Sequence, residues 1–256
     1  MKILAIGDVV GPAAIDYLSH VLRKFVSFEG VSLVLVNGEN ASTGNGLSSS
    51  DAKALLSAGA DVITSGNHIW HKKDIRDFLD SESRIIRPAN YPSCNPGSGH
   101  TIITIDGWRV LVMNVMGVIF TEPLADPFET VEKILEKEKN KYDFSVLDIH
   151  AEATSEKLAL AKYFDGRINV IYGTHTHVAT ADEQILPGGT GYITDLGMSG
   201  PHDGILGVKT ECIIRKLTTK LPTHFETAEN DIKVNGALFV LDTSANKVTK
   251  VERIVL

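Results

Sequence analysis

Short apolar runs alternate with stretches of helical periodicity over the first third of the chain. Lys2–Ile6, Val31–Val36 and Val62–Thr64 are compact runs of the kind that form buried strands. Ile15–Phe28, Ser48–Ser57 and Lys73–Leu79 carry helical spacing, and Ser and Asp residues at the start of the second suit a helix cap. A βαβαβ opening of this sort predicts a parallel sheet covered by helices.

The rhythm then changes. Thr101–Ile105 and Val110–Asn114 flank Asp106-Gly107, a good hairpin signal. Helices are expected at Glu129–Lys139 and Ser155–Phe164, and strands at Phe144–Ile149 and Asn169–Tyr172. From Gly188 onward the pattern predicts mainly strands, at Gly191–Thr194, Val208–Lys216, Gly236–Asp242 and Lys247–Val255. The expectation is an α/β fold with α+β character, two facing sheets each backed by a helical layer, in one domain spanning residues 1–256.

Unusual polar residues fall where the strands end. Asp8 follows the first strand, Glu39-Asn40 the second and Asn67-His68 the third; His150 follows Phe144–Ile149, and His175-Thr176-His177 follows the strand ending at Tyr172. In parallel sheets the carboxyl ends of strands border one crevice, where ligands bind. Oxygen and nitrogen donors would therefore converge on one edge. Taken singly, each has an ordinary explanation. Asp8 would cap a helix, Glu39-Asn40 and Asn67-His68 would be turn or loop residues, and His150 would be a core histidine.

GTHTHV is the strongest piece. Histidines at i and i+2 on extended backbone project to the same side, so both imidazoles would meet one site, and imidazole suits zinc, iron and manganese. His20, His100 and His224 read as structural, and His71 as solvated. His202, within GMSGPHDG, is a candidate for substrate contact, since glycine there permits close backbone approach.

Composition narrows the field. Hydrophobic residues make up 43% and charged residues 22%, ordinary for a soluble globular chain. A formal net charge of −7 gives no long-range attraction for a polyanion, which argues against duplex nucleic acid as a partner. A small phosphorylated substrate stays open, because a bound metal reverses the local field. No run approaches the ~18–20 apolar residues of a membrane span, and Gly7 and Asp8 interrupt the only stretch resembling a leader. Cys94 and Cys212 lie far apart and read as free, partly buried thiols, which fits a reducing compartment and a cytoplasmic address.

Two carboxylates, one or two amide oxygens and three imidazoles are too many donors for one ion. They suit two ions sharing a bridging carboxylate. The lack of thiolates points to manganese, iron or zinc. Two ions ~3.5–4 Å apart would hold a bridging hydroxide and clamp the attacking and leaving oxygens of a phosphate ester. Protonating the departing alkoxide then falls to His68, beside Asn67, as general acid.

Asp8 in GDVVG, Asn67-His68 in GNHIW, His150 in DIHAE and His175/His177 in GTHTHV resemble, in the same order, the motifs of calcineurin-like metallophosphoesterases. Two positions depart from that pattern. Val10 stands where the first motif has a histidine, and NGEN offers Glu39 and Asn40 where GDxxD offers a bridging aspartate. NGENAS, SGNHIW, GTHTHV and TDLGMSGP together resemble the bacterial YmdB-like phosphodiesterases over essentially the whole chain. The resemblance implies a four-layer αββα sandwich of two mixed sheets, a dinuclear metal centre, and hydrolysis of 2′,3′-cyclic nucleotides such as 2′,3′-cAMP to 3′-nucleotides; the donor chemistry suits iron or manganese there, with zinc a further fit. It further implies that Asp8, Glu39, Asn40 and His177 hold one ion and that Glu39, Asn67, His150 and His175 hold the other. Glu39 would bridge and His68 would serve as the acid. A homo-oligomer is also compatible with the resemblance.

Three rivals remain at this level. A metal hydrolase on a TIM barrel suits ~250 residues, although such enzymes tend to carry His-x-His at the first strand. Phosphomonoesterase or nuclease chemistry would use the same donors, which act on the phosphate and not on its substituents. A regulatory scaffold would bind metal with little turnover.

Overall fold

A computed structural model describes all 256 residues. The first part of the chain forms β1 (Lys2–Ile6), α1 (Gly11–Glu29), β2 (Leu33–Asn37), α2 (Ser49–Ala58), β3 (Val62–Thr64) and α3 (Ile75–Ser81). Then come β4 (His100–Ile105), β5 (Trp108–Met116), α4 (Pro127–Lys137), β6 (Phe144–His150), α5 (Thr154–Tyr163), β7 (Val170–Thr174), β8 (Gln184–Ile185) and β9 (Gly191–Ile193). The chain closes with β10 (Gly200–Pro201), α6 (Thr210–Thr219), β11 (Ile232–Lys233), β12 (Asn235–Asp242) and β13 (Lys247–Val255).

Five strands form one sheet in the order β13-β12-β1-β2-β3, and six form another in the order β4-β5-β6-β7-β9-β8. In the first, β1, β2 and β3 are parallel, and β12 is antiparallel to both of its neighbours, β1 and β13. In the second, β5, β6, β7 and β9 are parallel, and β4 folds back on β5 through the expected Asp106-Gly107 turn.

Alternation along each strand decides what its side chains meet. Ile3, Ala5, Leu33, Leu35 and Val62 face Val110, Val112, Val146 and Tyr172 of the other sheet, with Phe239 among them. The opposite parity, Leu4, Ile6, Val34 and Val36, packs with Ile15 and Leu18 of α1 and Leu55 of α2. On the far side, Leu111, Met113, Leu147 and Ile149 meet Val131 of α4 and Leu160 of α5. The result is the helix–sheet–sheet–helix sandwich expected from the pattern. Each fully buried Leu, Ile, Val or Phe contributes about 1.5–3 kcal/mol.

Three local expectations are corrected. Val208–Lys216 is not a strand, because Thr210–Thr219 form α6. Adjacent Ile213-Ile214 mimic a strand core, but with Leu217 they are spaced for one helix face, and none of the helix is buried. The first helix begins at Gly11 and not Ile15, since Pro12 is accommodated in a first turn where its missing N–H has no helical partner to lose. Cys94 is exposed, in the turn-rich segment between α3 and β4; Cys212 is half-buried, and both are free. No helix is long and apolar enough to cross a membrane.

Strands β1, β2 and β3 of one sheet and β6 and β7 of the other end at a common edge. Just below it, Asp148 of β6 ties the sheets together. It accepts from Asn37 Nδ2 at 3.1 Å, from Thr64 Oγ1 and from Thr174 Oγ1 at 2.8 Å. Burial raises this carboxyl to about 6 despite those donors.

Candidate metal centre

Two groups of donor atoms form at the shared edge. Glu39, His150 and His175 make one, and Asp8, Glu39 and His177 make the other, with the donor atoms of each group within 4.8 Å of one another. Glu39 belongs to both. Asp8, Glu39 and His150 are each at most 1% exposed.

Local sequence explains the approach. A Cβ at position 66 would overlap His150 Nε2 and Glu39 Oε2, so the residue before Asn67 has to be glycine. His150 Nε2 lies 3.2 Å from Glu39 Oε2, 3.2 Å from Asn67 Oδ1 and 3.1 Å from His175 Nδ1. Donors bound 2.0–2.2 Å from a common cation stand about 3–3.5 Å apart, so this spacing fits one ion. His150 Nδ1 is 2.9 Å from Thr174 Oγ1, which leaves Nε2 to the site.

The second group fits a cation for a different reason. Asp8 Oδ2 accepts the His175 N–H at 3.1 Å, but the buried Oδ1 has no hydrogen-bond partner, and His150 Nδ1 at 3.8 Å is out of reach. A buried carboxylate oxygen without a donor is costly, and a positive ion satisfies it. Asn40 Nδ2 lies 3.2 Å from His177 Nε2 and donates to Glu39 Oε1 at 2.7 Å.

The His-x-His pair is not extended. His175 has φ 97° and His177 φ 64°, both in the left-handed region, so the imidazoles diverge into the two groups. The expectation that they meet one site by strand alternation is corrected.

Electrostatics bind the protein groups to one another. Burial pushes the Glu39 carboxylate up, but the His150 and His68 imidazoles outweigh it and hold Glu39 well below the usual carboxylate range. Burial likewise disfavours charged His150, yet Glu39, Asp8 and Asp148 raise it to about 9. Burial and then the neighbouring His150 bring His175 down to about 4. Burial raises Asp8.

His68 stands at the rim, partly exposed. Its Nδ1 is 2.8 Å from Asn40 Oδ1 and 3.2 Å from Glu39 Oε1, and its backbone N–H donates to Glu39 Oε2 at 3.1 Å. The structure thus gathers Asp8, Glu39, Asn40, Asn67, His68, His150, His175 and His177. His202 is outside the cluster, held by Gly200 O at 2.8 Å and Asn235 Nδ2 at 3.2 Å. Sequence reasoning missed Thr174, Asp148, Lys157, Asp195 and Glu152, whose Oε2 is 3.2 Å from His175 Nε2. The available signal was a polar residue inside an apolar strand, as with Asp148 in FSVLDIH.

The YmdB-like protein family model matches residues 4–254. A Bacillus subtilis protein named 2′,3′-cyclic-nucleotide 2′-phosphodiesterase is 44% identical over 256 residues, covering 100% of this chain and 97% of its own. The crystal structure of a hypothetical protein from Thermus thermophilus superposes with a TM-score of 0.94 at 37% identity, over 100% of this chain and 99% of that one. That of a phosphatase from Mycoplasma pneumoniae gives 0.94 at 34% identity, over 100% and 93%. With matches spanning the whole chain, this protein belongs to the YmdB-like family of metal-dependent phosphate-ester hydrolases.

Proposed function

We propose that this protein is a dinuclear-metal phosphodiesterase acting on 2′,3′-cyclic nucleotides. The observation that carries the reading is the pair of donor groups sharing Glu39; the name of the 44%-identical relative supports the substrate. Asp8, Glu39, Asn40 and His177 would hold one ion, and Glu39, Asn67, His150 and His175 the other. Oxygen and imidazole donors without thiolate suit iron or manganese, and also zinc. When bound, the two cations supply Lewis-acid charge to the phosphate and hydroxide at neutral pH.

The chain's own residues do the rest. Thr174 fixes the His150 ring so that Nε2 is offered inward. Asn40 Oδ1 at 2.8 Å and Glu39 Oε1 at 3.2 Å orient the His68 ring through Nδ1. As the acid His68 carries protons on both ring nitrogens, donating from Nδ1 to these oxygens and presenting Nε2–H outward. From Nε2 it protonates the departing 2′ oxygen and is left as the neutral imidazole, giving the 3′-nucleotide. The two free cysteines support a cytoplasmic setting.

Manganese-dependent hydrolysis of 2′,3′-cAMP beside bis(p-nitrophenyl) phosphate tests the proposal, with turnover of both expected. Turnover of the synthetic diester alone would remove the cyclic nucleotide and keep the diesterase. No turnover of either, with two ions bound per chain, would favour a regulatory scaffold.

A further inference from the structure

Beneath the His175-Thr176-His177 turn lies an ion pair that the chemistry above leaves unused. Lys157 in α5 and Asp195 in the loop after β9 are each at most 1% exposed, and their charged atoms are 2.6 Å apart. Lys157 Nζ also donates to the Thr174 carbonyl at 2.8 Å. Asp195 Oδ2 accepts the Thr176 N–H at 3.2 Å and its hydroxyl at 2.8 Å, while Oδ1 accepts the Gly197 N–H at 2.9 Å. The pair therefore grips the chain on both sides of His175.

Burying two charges is costly, and an apolar pair of similar volume serves a fold as well or better. What the pair holds is unusual backbone. Positive φ at two consecutive-but-one histidines persists only where surrounding contacts impose it. Released to an extended form, the two imidazoles would project to one side, and one donor group would lose its histidine.

We propose that Lys157, Asp195 and Thr176 form a positioning device that divides His175 and His177 between the two donor groups, so that the protein takes up two ions and not one. This rests on the two-ion reading given above. None of the three belongs to either donor group; they act through the turn.

Manganese binding to the full chain, followed by titration calorimetry and electron paramagnetic resonance, tests the device. Metal-free thermal unfolding serves as the control. Asp195→Asn alone would strand the buried Lys157 charge and risks unfolding. Thr176→Val removes one hydroxyl and keeps both charges; Lys157→Met combined with Asp195→Asn removes the charges together. Each is expected to weaken at least one manganese by about 10- to 100-fold and to replace the exchange-coupled spectrum with that of isolated ions. The metal-free unfolding temperature of Thr176→Val should be unchanged, and Thr176→Ser should restore both binding and spectrum. If the double variant fails to fold, Thr176→Val against Thr176→Ser decides.

Two coupled ions bound at unaltered affinity in Thr176→Val would overturn the device while the two-ion reading stands. So would a loss of affinity that tracks an equal fall in metal-free stability. An unsubstituted protein that never takes up more than one ion would overturn both.

Discussion

Glu39 and His150 meet through one close contact, Oε2 to Nε2 at 3.2 Å, with both side chains sealed from solvent. Burial opposes both charges, and the pairing prevails, leaving His150 at about 9 and Glu39 well below its usual range. A cation that takes His150 Nε2 must displace its proton. Metal binding at pH 7 is therefore expected to release protons, and affinity should rise with pH toward about 9. The folded value lies above the unfolded one near 6.5. The group's contribution to the metal-free fold is thus complete below that pH and is lost as pH rises through about 9. Calorimetry in two buffers of different ionisation enthalpy measures the proton count, and equal heats in both would contradict the expectation.

His68 contacts Asn40 and Glu39 from the rim. His68→Gln should slow hydrolysis of 2′,3′-cAMP by about 10²- to 10⁴-fold with metal content intact. Bis(p-nitrophenyl) phosphate should suffer much less, because p-nitrophenolate leaves without a proton. Equal losses on the two substrates would rule out the acid role.

Gly66 is a steric requirement of the centre. In Gly66→Ala the new methyl would intrude on His150 Nε2 and Glu39 Oε2. Elemental analysis should find fewer than two ions per chain and turnover should vanish. Two ions retained at normal affinity would show that the edge yields more easily than the packing indicates.

Phe239 is fully buried between the sheets. Phe239→Ala should cost about 3–5 kcal/mol of stability, read as a lower urea midpoint, with metal stoichiometry unchanged well below the transition. A cost under about 1 kcal/mol would mean that the inter-sheet core collapses around the gap.

Much of this arrangement is legible in the residue order, for identifiable reasons. Period-two alternation and buried runs locate β1, β2, β3, β6 and β7, and the parallel-sheet rule then places Asp8, Glu39, Asn67, His150 and His175 at one edge. Without the comparison of motifs Asn40 reads only as a turn residue, because its 2.7 Å contact with Glu39 is a property of the folded loop. The turn carrying His175 and His177 is hydrogen-bonded to Asp8 and Asp195, 167 and 19 residues away, so spacing alone suggests the wrong backbone. Asp148 stands out inside an apolar strand, yet its partners Asn37 and Thr64 lie 111 and 84 residues away and carry no local signal. Residues of α6 read as a strand because a β-branched pair in a short amphipathic helix has the local look of one.

The shared Glu39 is open to direct observation. Anomalous scattering at the manganese edge, from crystals grown with that ion, should give two peaks about 3.5–4 Å apart with the Glu39 carboxylate between them. One peak should lie beside His150 and His175, and the other beside Asp8 and His177. A single peak at this edge, or two peaks too far apart for one carboxylate to touch both, would contradict the two-ion centre.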